Sequence, residues 1–393
     1  MTKTPPHLVT LVLLTALTVL TLNMFLPALP AMREVFGVSE AVMGRAISLY
    51  MLAAAVLQLV LGPLSDRFGR RPVILGLLGV YVVSSVMCLL ADNITMFLIA
   101  RTGQAVAVGG GILGSAVVRD LYNGRTAAAK LSLIASAMAV APMLAPMLGG
   151  LLEAAFGWRS VFVTYALLGA GLLLWCLRDL GETHHGEGGQ RIAFGALFQS
   201  RLFWTYVSVQ AFGVGTFYIF LTGAPFVAAD VFGLSPAQIG IALGSTTAGF
   251  MLGAGLSARL VQRLGPLRLI LVGRVFPLVG LGAALIYYAS GGGQVLPLFL
   301  GTVTVGIGNG LSLANANAGA LSVRPDLAGS ASGVNGAVSL SLGAALSWAT
   351  TAVLSRSATP EALLLLMLAV VGVALCAALV AALWDREEQG FST

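Results

Sequence analysis

Apolar runs of membrane length recur along the whole chain, and short polar segments separate them. Six lie near 8–31, 43–65, 72–91, 96–118, 128–152 and 159–178, and six more near 202–229, 237–262, 267–290, 295–323, 328–354 and 361–384. Roughly 20 apolar residues carry a helix across a bilayer. Inside lipid the backbone must satisfy its own hydrogen bonds, so continuous runs of this length predict helices. The pattern predicts an all-α integral membrane protein with 12 transmembrane helices in two pseudo-symmetric six-helix bundles. The longest polar interval falls between the sixth and seventh runs. It divides the chain into an N-terminal bundle over 1–178, a cytoplasmic linker over 179–200 and a C-terminal bundle over 201–393. The linker holds Thr183-His184-His185-Gly186-Glu187-Gly188-Gly189-Gln190, which reads as flexible, with solvated histidines rather than a metal site.

The halves echo each other at an offset of about 200 residues. Leu26-Pro27-Ala28-Leu29-Pro30 ends the first run, as Gly223-Ala224-Pro225-Phe226 ends the seventh. Arg67-Phe68-Gly69-Arg70-Arg71 follows the second run, as Arg263-Leu264-Gly265-Pro266-Leu267-Arg268 follows the eighth. Arg119-Asp120-Leu121 and Arg324-Pro325-Asp326-Leu327 follow the fourth and tenth. Internal repeats of this kind are built into secondary transporters, with binding between the repeats.

Composition narrows the class. The chain is 58% hydrophobic and 9% charged, with mean hydropathy +0.95, whereas soluble domains carry about 25% charged residues. The net charge of +6 is spread singly over short loops, which fits a membrane-lipid environment and not a nucleic-acid partner. Of 21 Lys and Arg, fifteen fall on the side that holds both termini, four on the other side, and Arg101 and Arg274 within runs. The positive-inside rule then places both termini in the cytoplasm. Arg274 is expected near the inner interface. The first run is too long for a signal-peptide core and reads as a retained helix. Cys88, Cys176 and Cys376 sit in apolar runs without metal-ligand spacing and read as packing residues. His7, His184 and His185 are the only histidines, and no carboxylate pair gathers at depth. An enzyme, a metal or a cofactor is therefore not expected.

The candidate chemistry is sparse. Gly62-Pro63-Leu64-Ser65-Asp66-Arg67-Phe68-Gly69-Arg70-Arg71-Pro72 reads as a tight loop between the second and third spans, with Pro72 in the first turn of the next helix. Asp66, Arg70 and Asp120 form a candidate cytoplasmic latch in which Asp66 accepts from the N-terminus of the eleventh helix. The plainer alternative is a set of solvated charges that fixes topology. Arg101 lies within the fourth span, followed by Gln104. A charge there is costly and normally functional, although an arginine near the interface can also snorkel. Pro142 and Pro146, with Gly149, make the fifth span bendable and closely packed, or merely kinked. Met24, Phe25, Tyr50, Met138, Gln210, Phe217, Tyr218, Asn309 and Asn335 are candidate lining residues of a mostly apolar substrate site, and helix packing is the competing role for each.

The spacing G-x-x-x-D-R-x-G-R-R over Gly62–Arg71 resembles the loop signature of the major facilitator superfamily. Leu22-Asn23-Met24-Phe25-Leu26-Pro27-Ala28-Leu29-Pro30 resembles the I-D-M-Y-L-P-A-L-P segment of its bicyclomycin- and chloramphenicol-resistance exporters. Val117-Val118-Arg119-Asp120-Leu121-Tyr122 and Phe156-Gly157-Trp158-Arg159-Ser160-Val161-Phe162 resemble the same group. The resemblance implies a monomeric drug:proton antiporter of the bacterial inner membrane, exporting small amphipathic drugs by alternating access. It implies gating by Gly62, Asp66, Arg67, Gly69, Arg70, Arg71, Asp120, Pro142, Pro146 and Gly149. It further implies proton movement at Asn23, Arg101 and Gln104.

Asn23 departs from the group, where an aspartate carries the proton. Asparagine cannot titrate, and no carboxylate falls at mid-membrane. Glu153 and Asp230 lie toward the outer surface. Three explanations follow: an engineered Asp-to-Asn substitution, coupling through a peripheral carboxylate such as Glu153 or Asp230, or a carrier coupled differently or not at all. The alternative cargo is a dedicated metabolite or sugar. Sugar carriers are expected to place more polar side chains and carboxylates in their spans than this chain does.

Overall fold

The computed structural model describes residues 6–122, 124–183, 198–324 and 327–390, and their side chains except at 125, 128, 132, 135–140, 328, 329 and 385–390. Among these residues there is helix and no strand. Eleven helical segments are long and apolar enough to cross a membrane. A further 33-residue helix, Gly124–Phe156, occupies the fifth place in the order.

The first span is interrupted. Helix α1 covers Leu8–Asn23, a 3-10 turn follows at Leu26–Ala28, and α2 runs over Leu29–Phe36. Pro27 and Pro30 explain the break, because neither can donate to the helical ladder. The short α3 (Glu40–Met43) leads into α4 (Arg45–Phe68), and α5 is Arg70–Leu89. The expected loop at 62–72 is therefore mostly helix. Only Gly69 separates α4 from α5, at φ 92° and ψ 153°, a conformation that favours glycine. Pro72 lies in the first turn of α5, as the sequence suggests.

The fourth span divides into α6 (Ile94–Gly103) and α7 (Val108–Leu121) around a 3-10 turn at Gln104–Ala107. The N-terminal set closes with α8 (Gly124–Phe156) and α9 (Arg159–Asp179). The remaining helices are α10 (Arg201–Asp230), α11 (Pro236–Leu264), α12 (Pro266–Ala289), α13 (Leu296–Ser322), α14 (Ala328–Leu354) and α15 (Pro360–Gly390).

The chain forms two compact units, Met1–Gln190 with Ser235–Ile241, and Arg191–Leu234 with Ala242–Thr393. In the first, α1 packs on α7, α8 and α9, while α5 lies along α9. Small residues permit these approaches. A Cβ on Gly110 would strike the carbonyl of Leu14, one on Gly149 the carbonyl of Met24, and one on Gly150 the carbonyl of Pro236. The last contact joins the start of α11 to this unit. In the second unit α10 packs on α13, α14 and α15, and α12 on α13. There α11 and α13 mesh through Gly253 against the Ile307 carbonyl, and Gly306 against that of Thr246.

Candidate functional site

The break in the first span gives the N-terminal unit its chemistry. Where α1 ends at Asn23, its last carbonyls lose their helical donors and carry the negative end of the helix dipole. Arg101 meets that end: Nη2 donates to the Thr21 carbonyl at 2.7 Å. The Tyr165 hydroxyl adds bonds to the carbonyls of Leu20 at 3.0 Å and Thr21 at 3.1 Å. Arg101 Nη1 donates to Gln104 Oε1 at 2.7 Å, and Gln104 Nε2 passes the chain on to Ser85 Oγ at 2.8 Å. Two aromatic faces complete the cage, Phe25 at 4.0 Å and Tyr50 at 4.5 Å from the guanidinium carbon. Cation–π contacts of this desolvated kind are worth about 2 kcal/mol each.

Arg101 is fully buried and therefore does not snorkel. Among the described residues no carboxylate pairs with it. Its charge is offset by a helix end and two rings. Its Nε and the Tyr50 hydroxyl are left without partners, as is Asn23 Oδ1, while Asn23 Nδ2 donates to the Val19 carbonyl at 2.8 Å. Met24 and Phe25 are buried in the break itself. The side chain of Met138 lies outside the described residues.

A charged cluster sits around Gly69. Arg70 is buried, donates to Ser65 Oγ, and pairs with Asp66 at 2.6 Å and Asp120 at 3.0 Å. Arg67 is exposed, with its guanidinium carbon 5.3 Å from the Phe68 ring, and the Gly62 carbonyl accepts from Ser65 Oγ at 2.9 Å. The beginning of the linker is not free. Glu182 accepts from the backbone amides of Arg70 at 2.9 Å and Arg71 at 3.2 Å, which places its carboxylate on the N-terminus of α5. Arg71 holds the carbonyls of Leu180 and Leu177, and Thr183 Oγ1 donates to Asp120 at 3.3 Å. His7 and Thr10 bind Asp179 at the end of α9. His184 and His185 lie outside the described residues. Pro142, Pro146 and Gly149 share α8, and Gly149 is the residue pressed on Met24. Glu153 lies in the last turn of α8 and is 9% exposed, with Oε2 unpartnered.

The second unit contains a buried guanidinium that the hydropathy reading sent to the interface. Arg274 on α12 is 1% exposed. Its Nη2 donates to Asn309 Oδ1 at 2.9 Å and also to Ser312 Oγ. Asn309 Nδ2 in turn donates to the Gly213 carbonyl at 3.0 Å. Both ends of the Asn309 amide are thus engaged within the protein. The signal in the sequence was an arginine inside an apolar run, the same signal that singled out Arg101. Gln210 and Asn335 each keep one unpartnered carbonyl oxygen, although Asn335 donates to Asn317 at 2.9 Å. Phe217 and Tyr218 stack obliquely at 6.1 Å on α10.

Residues 11–348 match the family model described as Major Facilitator Superfamily. The chain belongs to the Major Facilitator Superfamily. A major facilitator is a multi-pass membrane transporter of small molecules, and its fold and family are not those of enzymes. The chain is similar to the uncharacterised MFS-type transporter YdgK of Bacillus subtilis (strain 168), 28% identical over 366 residues, 90% of each chain. It is also similar to the chloramphenicol resistance protein of Pseudomonas aeruginosa, 32% identical over 211 residues, 52% of this chain and 50% of that one. That second match spans about half of the relative. The fold resembles a bacterial homolog of the human lysosomal transporter Spinster in an inward-facing and occupied conformation, with TM-score 0.81, 19% identity and 98% of each chain covered.

Proposed function

We propose that this major facilitator exports small amphipathic, drug-like molecules in exchange for protons by alternating access. It would act as a monomer in a bacterial inner membrane, with both termini cytoplasmic. The observation that supports this most is the Arg101 cage at the break of the first span. It fixes a cation beside Asn23, the position where the resembling exporters hold an ionisable carboxylate. A carboxylate there would be stabilised by the nearby guanidinium when charged and would release Arg101 when protonated. The similarity to a chloramphenicol resistance protein supports a drug as cargo. With Asn23 in place, we assign the proton step to Glu153, a buried carboxylate of the same unit with an unpartnered oxygen.

The test is accumulation of ethidium or chloramphenicol in cells expressing the chain, Asn23→Asp or Glu153→Gln at equal levels. Lower accumulation that a protonophore abolishes is expected, stronger in Asn23→Asp and lost in Glu153→Gln. Accumulation that matches empty cells in both the parent chain and Asn23→Asp would end the drug-export reading. Proton-driven efflux that survives Glu153→Gln would end the assignment of Glu153.

A further inference from the structure

A shallow groove of about 420 Å3 runs between α4 and α6, lined by Arg45, Leu49, Thr95, Leu98, Ile99 and Thr102. Its volume lies within the roughly 300–1,000 Å3 typical of ligand sites. The other sides of α6 are occupied. Phe97 stacks on Phe36, Trp158 and Phe162, Arg101 reaches α1, and Gly103 abuts Ser84 of α5. The groove face is what remains, and it points out of the protein. Ile99 is 64% exposed and Leu49 is 37% exposed. In a membrane protein such a face meets acyl chains.

The head of the groove is not apolar. Arg45 is exposed there and forms no ion pair among the described residues; Asp92, just ahead of α6, does not pair with it. Thr95 stands in the first turn of α6. Helices α4 and α6 both begin at this end, so their positive dipole ends add to the Arg45 charge. Two helical turns below Thr95, about 10 Å along the axis, the groove closes at Thr102, whose hydroxyl is already spent on the Leu98 carbonyl. The charge gradient is therefore one cation at the top and hydrocarbon below.

We propose that this groove binds one anionic phospholipid, its phosphate on Arg45 and Thr95 and an acyl chain along Leu49, Leu98 and Ile99. The lipid backs α6 on the side away from the Arg101 cage, so its occupancy bears on the helix that presents that arginine. The test is native mass spectrometry of the purified full chain. It is titrated with phosphatidylglycerol, with phosphatidylcholine of the same chains, and with glycerol 3-phosphate as the soluble anion. The parent chain is expected to retain phosphatidylglycerol over phosphatidylcholine. Arg45→Gln is expected to weaken phosphatidylglycerol about fivefold, the effect of removing one basic residue near an anionic headgroup, and to leave phosphatidylcholine unchanged. Ile99→Trp, which fills the apolar half, is expected to weaken both lipids. Equal retention of the two lipids by the parent chain would overturn the proposal. So would unchanged phosphatidylglycerol binding in Arg45→Gln, lipid binding that is indifferent to Ile99→Trp, or glycerol 3-phosphate that competes the lipid away.

Discussion

Gln104→Leu isolates what the Arg101 cage contributes to the fold. The substitution keeps a side chain of similar size and removes two bonds, the 2.7 Å acceptor for Arg101 and the 2.8 Å donor to Ser85. Interhelical hydrogen bonds between neutral groups in membranes average only about 0.6 kcal/mol and reach about 1.7. A charge-assisted bond is worth roughly 1.5–3 kcal/mol. Because Arg101 has no carboxylate to fall back on, the charged bond dominates and a loss of about 2 kcal/mol is expected. For a unit of this size, 1 kcal/mol moves the melting temperature by roughly 2–4 °C, so Tm should fall by about 4–8 °C.

The cysteines supply the assay. Cys88 and Cys176 are buried in the same unit, and Cys376 is exposed. A thiol-reactive fluorophore therefore reads a constant background from Cys376 and a cooperative rise as Cys88 and Cys176 open. Arg101→Met in the Gln104→Leu background should restore part of the loss, since no unpartnered cation remains. A Gln104→Leu Tm within a degree of the parent, or strict additivity of the two substitutions, would refute the idea that Gln104 stabilises the buried charge.

Gly253→Leu should abolish folding of the C-terminal unit, because its side chain would have to displace the Ile307 carbonyl across the α11–α13 seam. Loss of the monodisperse species in size-exclusion chromatography reads this out. Gly213→Ala forces a methyl against the Arg274 guanidinium and should cost about 1–3 kcal/mol, as overpacking does; the thermal melt should recover when Arg274→Leu is added. Glu182→Gln removes a carboxylate from the N-terminus of α5, worth about 0.3–1 kcal/mol. Trypsin cleavage after the exposed Arg178 should quicken by up to about fivefold, and an unchanged rate would show that Glu182 does not hold the linker.

The spans, the repeat and the class of protein are legible in the primary chain because the bilayer imposes them locally. A helix crossing hydrocarbon must be long, apolar and internally hydrogen-bonded, and that demand is met within each segment. Pro27 and Pro30 read as the end of the first run, whereas the structure makes them an interruption after which helix resumes over Leu29–Phe36. The turn between the second and third spans was legible, and the structure narrows it to Gly69 alone. Arg101 was legible as costly, hence as interior. What holds it was not. Its partners are one carbonyl of α1, the ring of Phe25 at the break, the ring of Tyr50 on α4 and a glutamine one turn away, and their convergence depends on how α1, α4 and α6 pack. The same limit misplaced Arg274, because hydropathy gives depth along one helix and carries no information about its facing side. Only packing brings Asn309 and Ser312 to that guanidinium, and only the return of the chain after α9 seats Glu182 on the amides of Arg70 and Arg71. Burial along a segment is a one-dimensional property that composition encodes, whereas the neutralisation of a buried charge is a three-dimensional one that residues far apart in sequence must meet together.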